Sequence, residues 1–348
     1  MEALLTVLKN IIVCSDGTWN SPEQKPSDCA SNVLKLSRCV ISQAASPSQQ
    51  IFYDWGLGSY HDSVRAGITG HGLDKNVLDA YRYIVHNYDD DSQLFLFGFS
   101  RGAYTVRALC GLINNVGILK SQHGERIAEA WQIYKSCHRR DHPKGDRALH
   151  FTQQYAHATK RIRFVGVWDT VGALGIPFSL LGWLSDDDEF YDTRLSSNID
   201  IARQALAIDE RREDFAPALW QPRAGVDLKQ VWFAGVHSDV GGGYPRDDLG
   251  LLSSDAPLRW LLREAEKAGL QIAIDEPVEK SGLPKLHRSR RHVFRIKRPL
   301  IRDLALHIKG TSIHRSVLER WQQQPSYRPA QLQALLEEAG LEDLPWCD

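Results

Sequence analysis

Short apolar runs bounded by glycine, proline and small polar residues alternate along this chain with longer stretches whose apolar positions recur at helical spacing. That alternation predicts strands buried between layers of helices. Ile11 to Cys14 is a β-branched run ending in the polar loop Ser15-Asp16-Gly17-Thr18-Trp19-Asn20. Asn32 to Ile41 reads as a helix, Gln50 to Asp54 as a second strand and Leu73 to Val85 as the next helix. Leu94 to Phe97 is a strand, Gly98-Phe99-Ser100-Arg101-Gly102 an abrupt turn, and Ala103 to Leu109 a helix. Ser121 to Lys160 is rich in charge and broken by His142-Pro143-Lys144-Gly145, which predicts an inserted helical region at about 121–160.

Arg163 to Trp168 reads as a strand terminating at Asp169. A second insertion is expected at about 173–210: apolar Ala173 to Leu184, the acidic run Asp186 to Glu189, then Ile201 to Glu210 as a helix. Its apolar opening is either an ordinary buried helix or a flap whose greasy face receives acyl chains or touches a membrane. Val231 to Val236 forms a further strand and runs into His237-Ser238-Asp239-Val240-Gly241-Gly242-Gly243-Tyr244. Ser254 to Gly269 is an amphipathic helix, Thr311 to Trp321 a helix with His314 near its start, and Ala330 to Ala339 precedes an irregular end. The pattern predicts an α/β fold, a mostly parallel sheet with helices on both faces, as a single domain over 1–348.

The chemistry gathers where strands end. A serine on a sharp strand-to-helix turn, with glycine two residues before and after it, matches the nucleophile elbow: the glycines let strand and helix pass closely, and the hydroxyl stands clear of its backbone. Ser100 is the candidate nucleophile. The N–H of Arg101 would face a developing oxyanion near the positive end of the helix, and Gly17 or Thr18, in the loop after the first strand, would donate the second N–H. The alternative for that loop is an Asx turn in which Asp16 caps its own backbone. Asp169, at the end of its strand, is the candidate acid. His237, followed by a glycine run, is the candidate base. Asp239 and His314 are the alternative acid and base. The order Ser100, Asp169, His237 is the nucleophile, acid, base order of α/β hydrolases.

Composition narrows the picture. The 348 residues, 43% of them hydrophobic, suffice for a large core, and 42 basic against 43 acidic residues leave a net charge of −1, which argues against nucleic acid as partner. His287 to Lys297 is basic and reads as a solvated face, and Asp89-Asp90-Asp91 as a solvated turn. Six cysteines without CxxC spacing read as reduced thiols, so no zinc site is expected. Five glycines between Gly56 and Gly72 suggest a phosphate cradle, but no lysine follows in the nucleotide-binding pattern; a flexible loop near the site entrance is expected. No cofactor is expected, and whether a cation binds near Asp16, Asp169 or Asp239 stays open. The start MEALLTVLKN lacks the features of a signal peptide, and no stretch approaches the roughly 20 apolar residues of a membrane span. A protein cytoplasmic as synthesised is expected.

The phrases CSDGTWN, FGFSRGAYTVRAL, VGVWDTVGALG, FAGVHSDVGGGY, IHRSVLER and YRPA resemble, in order, the signature blocks of the α/β-hydrolase family that includes the first group of type VI secretion phospholipase effectors and related bacterial and fungal proteins. The family's catalytic serine, aspartate and histidine match Ser100, Asp169 and His237. The resemblance implies a fatty-acyl ester of a glycerophospholipid as substrate, with secretion machinery and an immunity protein as partners. The residues also suit an esterase or thioesterase acting on a soluble substrate, or a hydrolase fold kept as a silent binding module.

Overall fold

The computed structural model describes residues 8–17, 29–42, 46–56, 70–171, 195–273, 282–290 and 298–348. Its strands are β1 (Lys9–Ser15), β2 (Ser48–Asp54), β3 (Ser92–Phe99), β4 (Ile162–Trp168), β5 (Ile199–Ala207), β6 (Asp227–Phe233), β7 (Thr311–His314) and β8 (Trp346–Cys347). They form one sheet in the order β2-β1-β3-β4-β5-β6-β7-β8, every neighbouring pair parallel. A parallel sheet is covered on both faces, which is why its strands are continuous apolar runs. Successive residues enter opposite layers: Ile11, Val13, Leu94 and Leu96 join one cluster, whereas Ile12, Cys14, Phe95 and Phe97 join the other.

The first layer holds helices α2 (Gly70–Asn87), α3 (Arg101–Val116), α4 (Ile127–Lys135) and α5 (Asp146–Tyr155); the last two, with short 3-10 turns, fall within residues 121–160. The second layer holds α1 (Asn32–Cys39) and α7 (Asp255–Lys267), the latter preceded in the chain by the short α6 (His237–Gly241). A third cluster, around Trp232, Ile313, Val317 and Leu332, packs α8 (Arg315–Gln323) and α9 (Ala330–Ala339) at the far edge.

Two sequence expectations are corrected. Ile201 to Glu210 is not a helix: Ile199–Ala207 is strand β5, in the interior of the sheet. The polar pair Arg203 and Gln204 imitated a solvated helix face. Both are buried, Arg203 on Glu264 (2.5 Å) and Asp227 (2.6 Å), Gln204 on the carbonyl of Ala218 (3.0 Å). Thr311–His314 is likewise strand β7, and the helix begins only at Arg315, capped by the His314 ring, which accepts from Ser316 N–H (3.2 Å). Pairing with β7 also turns part of the expected irregular end into β8. The apolar flap reading at 173–184, the rest of that insertion up to residue 194, most of the Gly56–Gly72 stretch and Thr18 lie outside the described residues.

From β1 the chain moves outward to β2, then returns to place β3 on the other side of β1. Such a reversal opens a crevice beyond the carboxyl ends of the two strands. Phe164, fully buried on β4, packs against the neighbouring β3, its ring centroid 5.5 Å from Phe97 and 6.2 Å from Phe95. Phe164→Ala is expected to cost about 3–5 kcal/mol in urea denaturation; a loss below about 1 kcal/mol would show that the layer closes over the cavity.

Candidate active site

Ser100 sits between β3 and α3 with φ 58 and ψ −121, a left-handed φ for a residue that carries a Cβ. Such a conformation costs on the order of 1–3 kcal/mol and persists only where the surroundings enforce it. Here the neighbours do so. A methyl group on Gly102 would overlap the carbonyl oxygens of Ser15 and Asp16, and one on Gly98 would overlap Gly102 and Ala103. Helix α3 therefore starts hard against the end of β1, and the chain has to reverse within Ser100. The Ser100 N–H donates to the carbonyl of Trp168 (3.2 Å), which lays the turn beside the end of β4. Ser100 is half-buried, at the N-terminus of a 16-residue helix whose first N–H groups, Arg101's among them, carry the positive end of the dipole.

Asp169 follows β4 directly, also with a positive φ, 36°, and is fully buried. Oδ2 meets His237 Nδ1 at 2.6 Å, and Oδ1 accepts the N–H of Ala207 at 3.0 Å. Arg302, itself buried, donates to both oxygens, at 2.6 Å to Oδ1 and 3.1 Å to Oδ2. Burial pushes the Asp169 carboxyl up, but the Arg302 guanidinium and the His237 ring outweigh it and hold the group well below the usual carboxylate range.

His237 opens helix α6 at the end of the β6 segment. Its ring lies 4.6 Å from that of Phe99 and edge-on to Phe215 at 5.0 Å, between centroids. The methyl-free Gly241 leaves room for Phe99, whose ring a Cβ would strike; this is the close approach that the glycine run suggested. Glu210, buried, accepts the His237 N–H at 3.3 Å and is held by Arg212 (2.8 Å) and Ser289 (2.6 Å). The imidazole is thus fixed from one side by a carboxylate on Nδ1, an arrangement that leaves Nε2 to act as a base. Among the described residues Ser100 forms no hydrogen bond to His237; the two are linked through Phe99, which precedes Ser100 in the chain and whose ring lies against the imidazole at a tilt of 31°. Contacts between a resting nucleophile and its base are commonly long before substrate enters.

The remaining candidates fall elsewhere. Gly17 donates its N–H to Asp16 Oδ1 (2.7 Å), a bond to the adjacent residue rather than the two-residue reach of an Asx turn, while Asp16 Oδ2 accepts from Ser31 and, at 2.8 Å, from Tyr53. Asp239 does not hold His237. It accepts from Val236 N–H (3.0 Å), Ser253 (2.7 Å) and both the N–H (3.0 Å) and Nδ1 (2.7 Å) of His287. His314 lies at the end of β7, four strands from β3, stacked on Phe233 at 4.5 Å, where burial and then Arg259 push its pKa down to about 4. It is not brought to Ser100. The carboxylates of Asp16, Asp169 and Asp239 are each ringed by protein donors, and no metal-binding cluster of histidine, cysteine and carboxylates occurs among the described residues. All six cysteines are free thiols. Arg302, Glu210 and His287 escaped the sequence reading: Arg302 stands in a basic region, and nothing local marks a partner 133 residues away.

The chain is similar to several known proteins. A family model described as "T6SS, Phospholipase effector Tle1-like, catalytic domain" matches residues 9–264. An uncharacterized protein of Saccharomyces cerevisiae, YEL023C, is 29% identical over 239 residues, covering 62% of this chain and 33% of that protein. Among solved structures, a crystal structure of an uncharacterized protein from Pseudomonas aeruginosa is similar, with a TM-score of 0.47, 18% identity and coverage of 76% of this chain and 47% of that one. The Tle1 effector bound to the VgrG spike of the type 6 secretion system gives a TM-score of 0.39 and 20% identity, over 69% of this chain and 52% of that one. This chain therefore spans about a third of the yeast relative and about half of each structural neighbour.

One carboxylate beside the site makes a pH-dependent contribution of its own. Asp209 accepts from Gly235 N–H (2.7 Å) and the Tyr327 hydroxyl (3.0 Å), and burial pushes its pKa up to about 6 against the opposing pull of those two hydrogen bonds. Below about pH 4 both folded and unfolded chains keep the proton. Between about pH 4 and about pH 6 only the unfolded chain releases it, so folding stability falls as pH rises. Asp209→Asn, which retains an acceptor for both donors, is expected to remove this slope and to gain on the wild type by up to about 3 kcal/mol across the window, read from urea denaturation at successive pH values. Parallel curves would mean that Asp209 is ionised in the folded protein throughout.

Proposed function

This chain belongs to the family of Tle1-like type VI secretion phospholipase effector catalytic domains, and we propose that it is a serine esterase cleaving a fatty-acyl ester of a phospholipid. The observation that carries the proposal is the buried Asp169–His237 pair at 2.6 Å, set beside the strained serine turn of Gly98 to Gly102, which we take as a nucleophile elbow.

In this reading His237 Nε2 takes the proton of Ser100 as Oγ attacks the ester carbonyl, and the Asp169 carboxylate stabilises the imidazolium and fixes its tautomer. The tetrahedral oxyanion forms near the first N–H groups of α3, with the Arg101 N–H as the donor adjacent to the nucleophile. The imidazolium then protonates the leaving alcohol, and a water activated by the same ring releases the fatty acid from Ser100. A second oxyanion donor belongs to the loop after β1. The Gly17 N–H would serve only once it leaves the Asp16 carboxylate. Delivery by type VI secretion machinery, and transient contact with a target membrane, are part of the same proposal.

Ser100→Ala is expected to lower hydrolysis of phospholipid vesicles by about 10⁴-fold or more while leaving the thermal transition and circular dichroism in place. A fluorophosphonate probe should label the wild type and not the variant. Unchanged turnover in the variant would sink the assignment; labelling together with a preference for short soluble esters over vesicles would move the substrate from lipid to a water-soluble ester.

A further inference from the structure

Arg302 lies in an irregular segment between exposed neighbours, Ile301 and Asp303, yet only 2% of it is accessible. Its terminal nitrogens are fully committed. Nη1 donates to Asp169 Oδ1 (2.6 Å) and the carbonyl of Ala207 (2.7 Å), Nη2 to Asp169 Oδ2 (3.1 Å) and the carbonyl of Phe215 (2.6 Å). The segment itself is pinned by Leu300 N–H to Arg211 (2.9 Å) and by Trp232 Nε1 to the carbonyl of Leu304 (2.8 Å). One guanidinium thus bridges the Asp169 carboxylate, the end of β5 and the loop carrying Phe215, whose ring borders His237.

A buried ion pair is weak ground for a purely stabilising role, because apolar replacements of such pairs are often no less stable. The charge has a different consequence here. A buried Asp–His pair goes from −1 to neutral when the imidazole takes a proton; with Arg302 added, the same event takes the cluster from neutral to +1. Protonation of His237 is therefore less favourable than in a pair with an unshared carboxylate. We propose that Arg302 is a positioning residue of this site: it locks the Asp169 carboxylate in the orientation that His237 uses, and its charge keeps that imidazole a neutral base at pH values where an unshared pair would already hold a proton.

Other charged groups stand near His237. Glu210 is paired with Arg212, and Asp239 on α6 is bonded to His287. Asp209, bonded to Gly235, holds its proton up to about pH 6, and Arg101 follows Ser100 at the head of α3. Arg302 is the cation in direct contact with the carboxylate that His237 shares.

The catalytic consequence rests on the esterase reading; the electrostatic one is measurable without turnover. In a Ser100→Ala background the His237 imidazole is titrated by NMR for Arg302, Arg302→Gln and Arg302→Lys, and with Ser100 intact the pH profiles of kcat and KM are recorded for the same three. Gln is expected to raise the His237 midpoint by about one pH unit or more. It should also carry the acidic limb of kcat/KM upward by the same amount and lower kcat about tenfold or more, with KM little changed. Lys keeps the charge without the two-pronged geometry, so its midpoint should stay near that of the wild type while kcat falls. A folded Gln variant whose midpoint does not move overturns the proposal. If Gln does not fold, a Lys midpoint displaced by a full unit overturns it, and a Lys midpoint at the wild-type value supports it. A shifted midpoint in a protein without hydrolytic activity upholds the role of Arg302 and removes the esterase reading alone.

Discussion

A carboxylate with no access to water is the constraint around which this molecule is arranged. Left alone in an apolar interior, the charge of Asp169 would cost several kcal/mol and the group would take up a proton instead. It stays ionised because Ala207 N–H, His237 Nδ1 and two nitrogens of Arg302 converge on its two oxygens. Those donors come from the end of β5, the start of α6 and the segment before β7. Satisfying one anion therefore fixes the relative positions of four stretches of chain across the carboxyl edge of the sheet, and with them the orientation of the imidazole.

The same economy recurs along that edge. Asp16 after β1 gathers Gly17, Ser31 and Tyr53; Glu210 after β5 gathers Arg212, Ser289 and His237 N–H; Asp239 in α6 gathers Val236, Ser253 and His287. In a parallel sheet every strand ends on the same rim, and the loops that follow have to bury polar backbone without a ladder to pair with. Carboxylates placed from one to six residues beyond the strand ends supply the missing acceptors. The rim is thus both scaffold and candidate site.

How much of this could be read beforehand depends on the range of the interaction. Apolar runs such as Ile11 to Cys14 and Leu94 to Phe97 identify buried parallel strands because both faces must be hydrophobic, and the turn at Ser100 is written in glycines two residues either side. β5 was misread because its interior polar residues, Arg203 and Gln204, find partners at Glu264, Asp227 and Ala218, far from it in sequence, and thereby lose the meaning that polar spacing has on a solvated helix. His314 looked like a helical residue because the four-residue strand it ends is too short to show alternation. The sequence offers Asp169 as the acid, on its place at a strand end, and Asp239 as the alternative. The fold gives His237 to the first and His287 to the second.

Arg302 shows why that separation could not be reached locally. Among the basic residues near it, nothing in its own surroundings marks it as buried, since its flanking residues Ile301 and Asp303 are exposed. Its burial is decided by the anion it meets, and the anion's charge is in turn sustained by its burial of the arginine's donors. Removing one partner leaves the other charge buried with less compensation, a loss on the order of 3–5 kcal/mol. Because the imidazole shares that carboxylate, the ion pair that holds this part of the interior together also reaches the base of the proposed mechanism. On that proposal, folding and proton transfer meet in a single carboxyl group, and a change made for one is felt by the other.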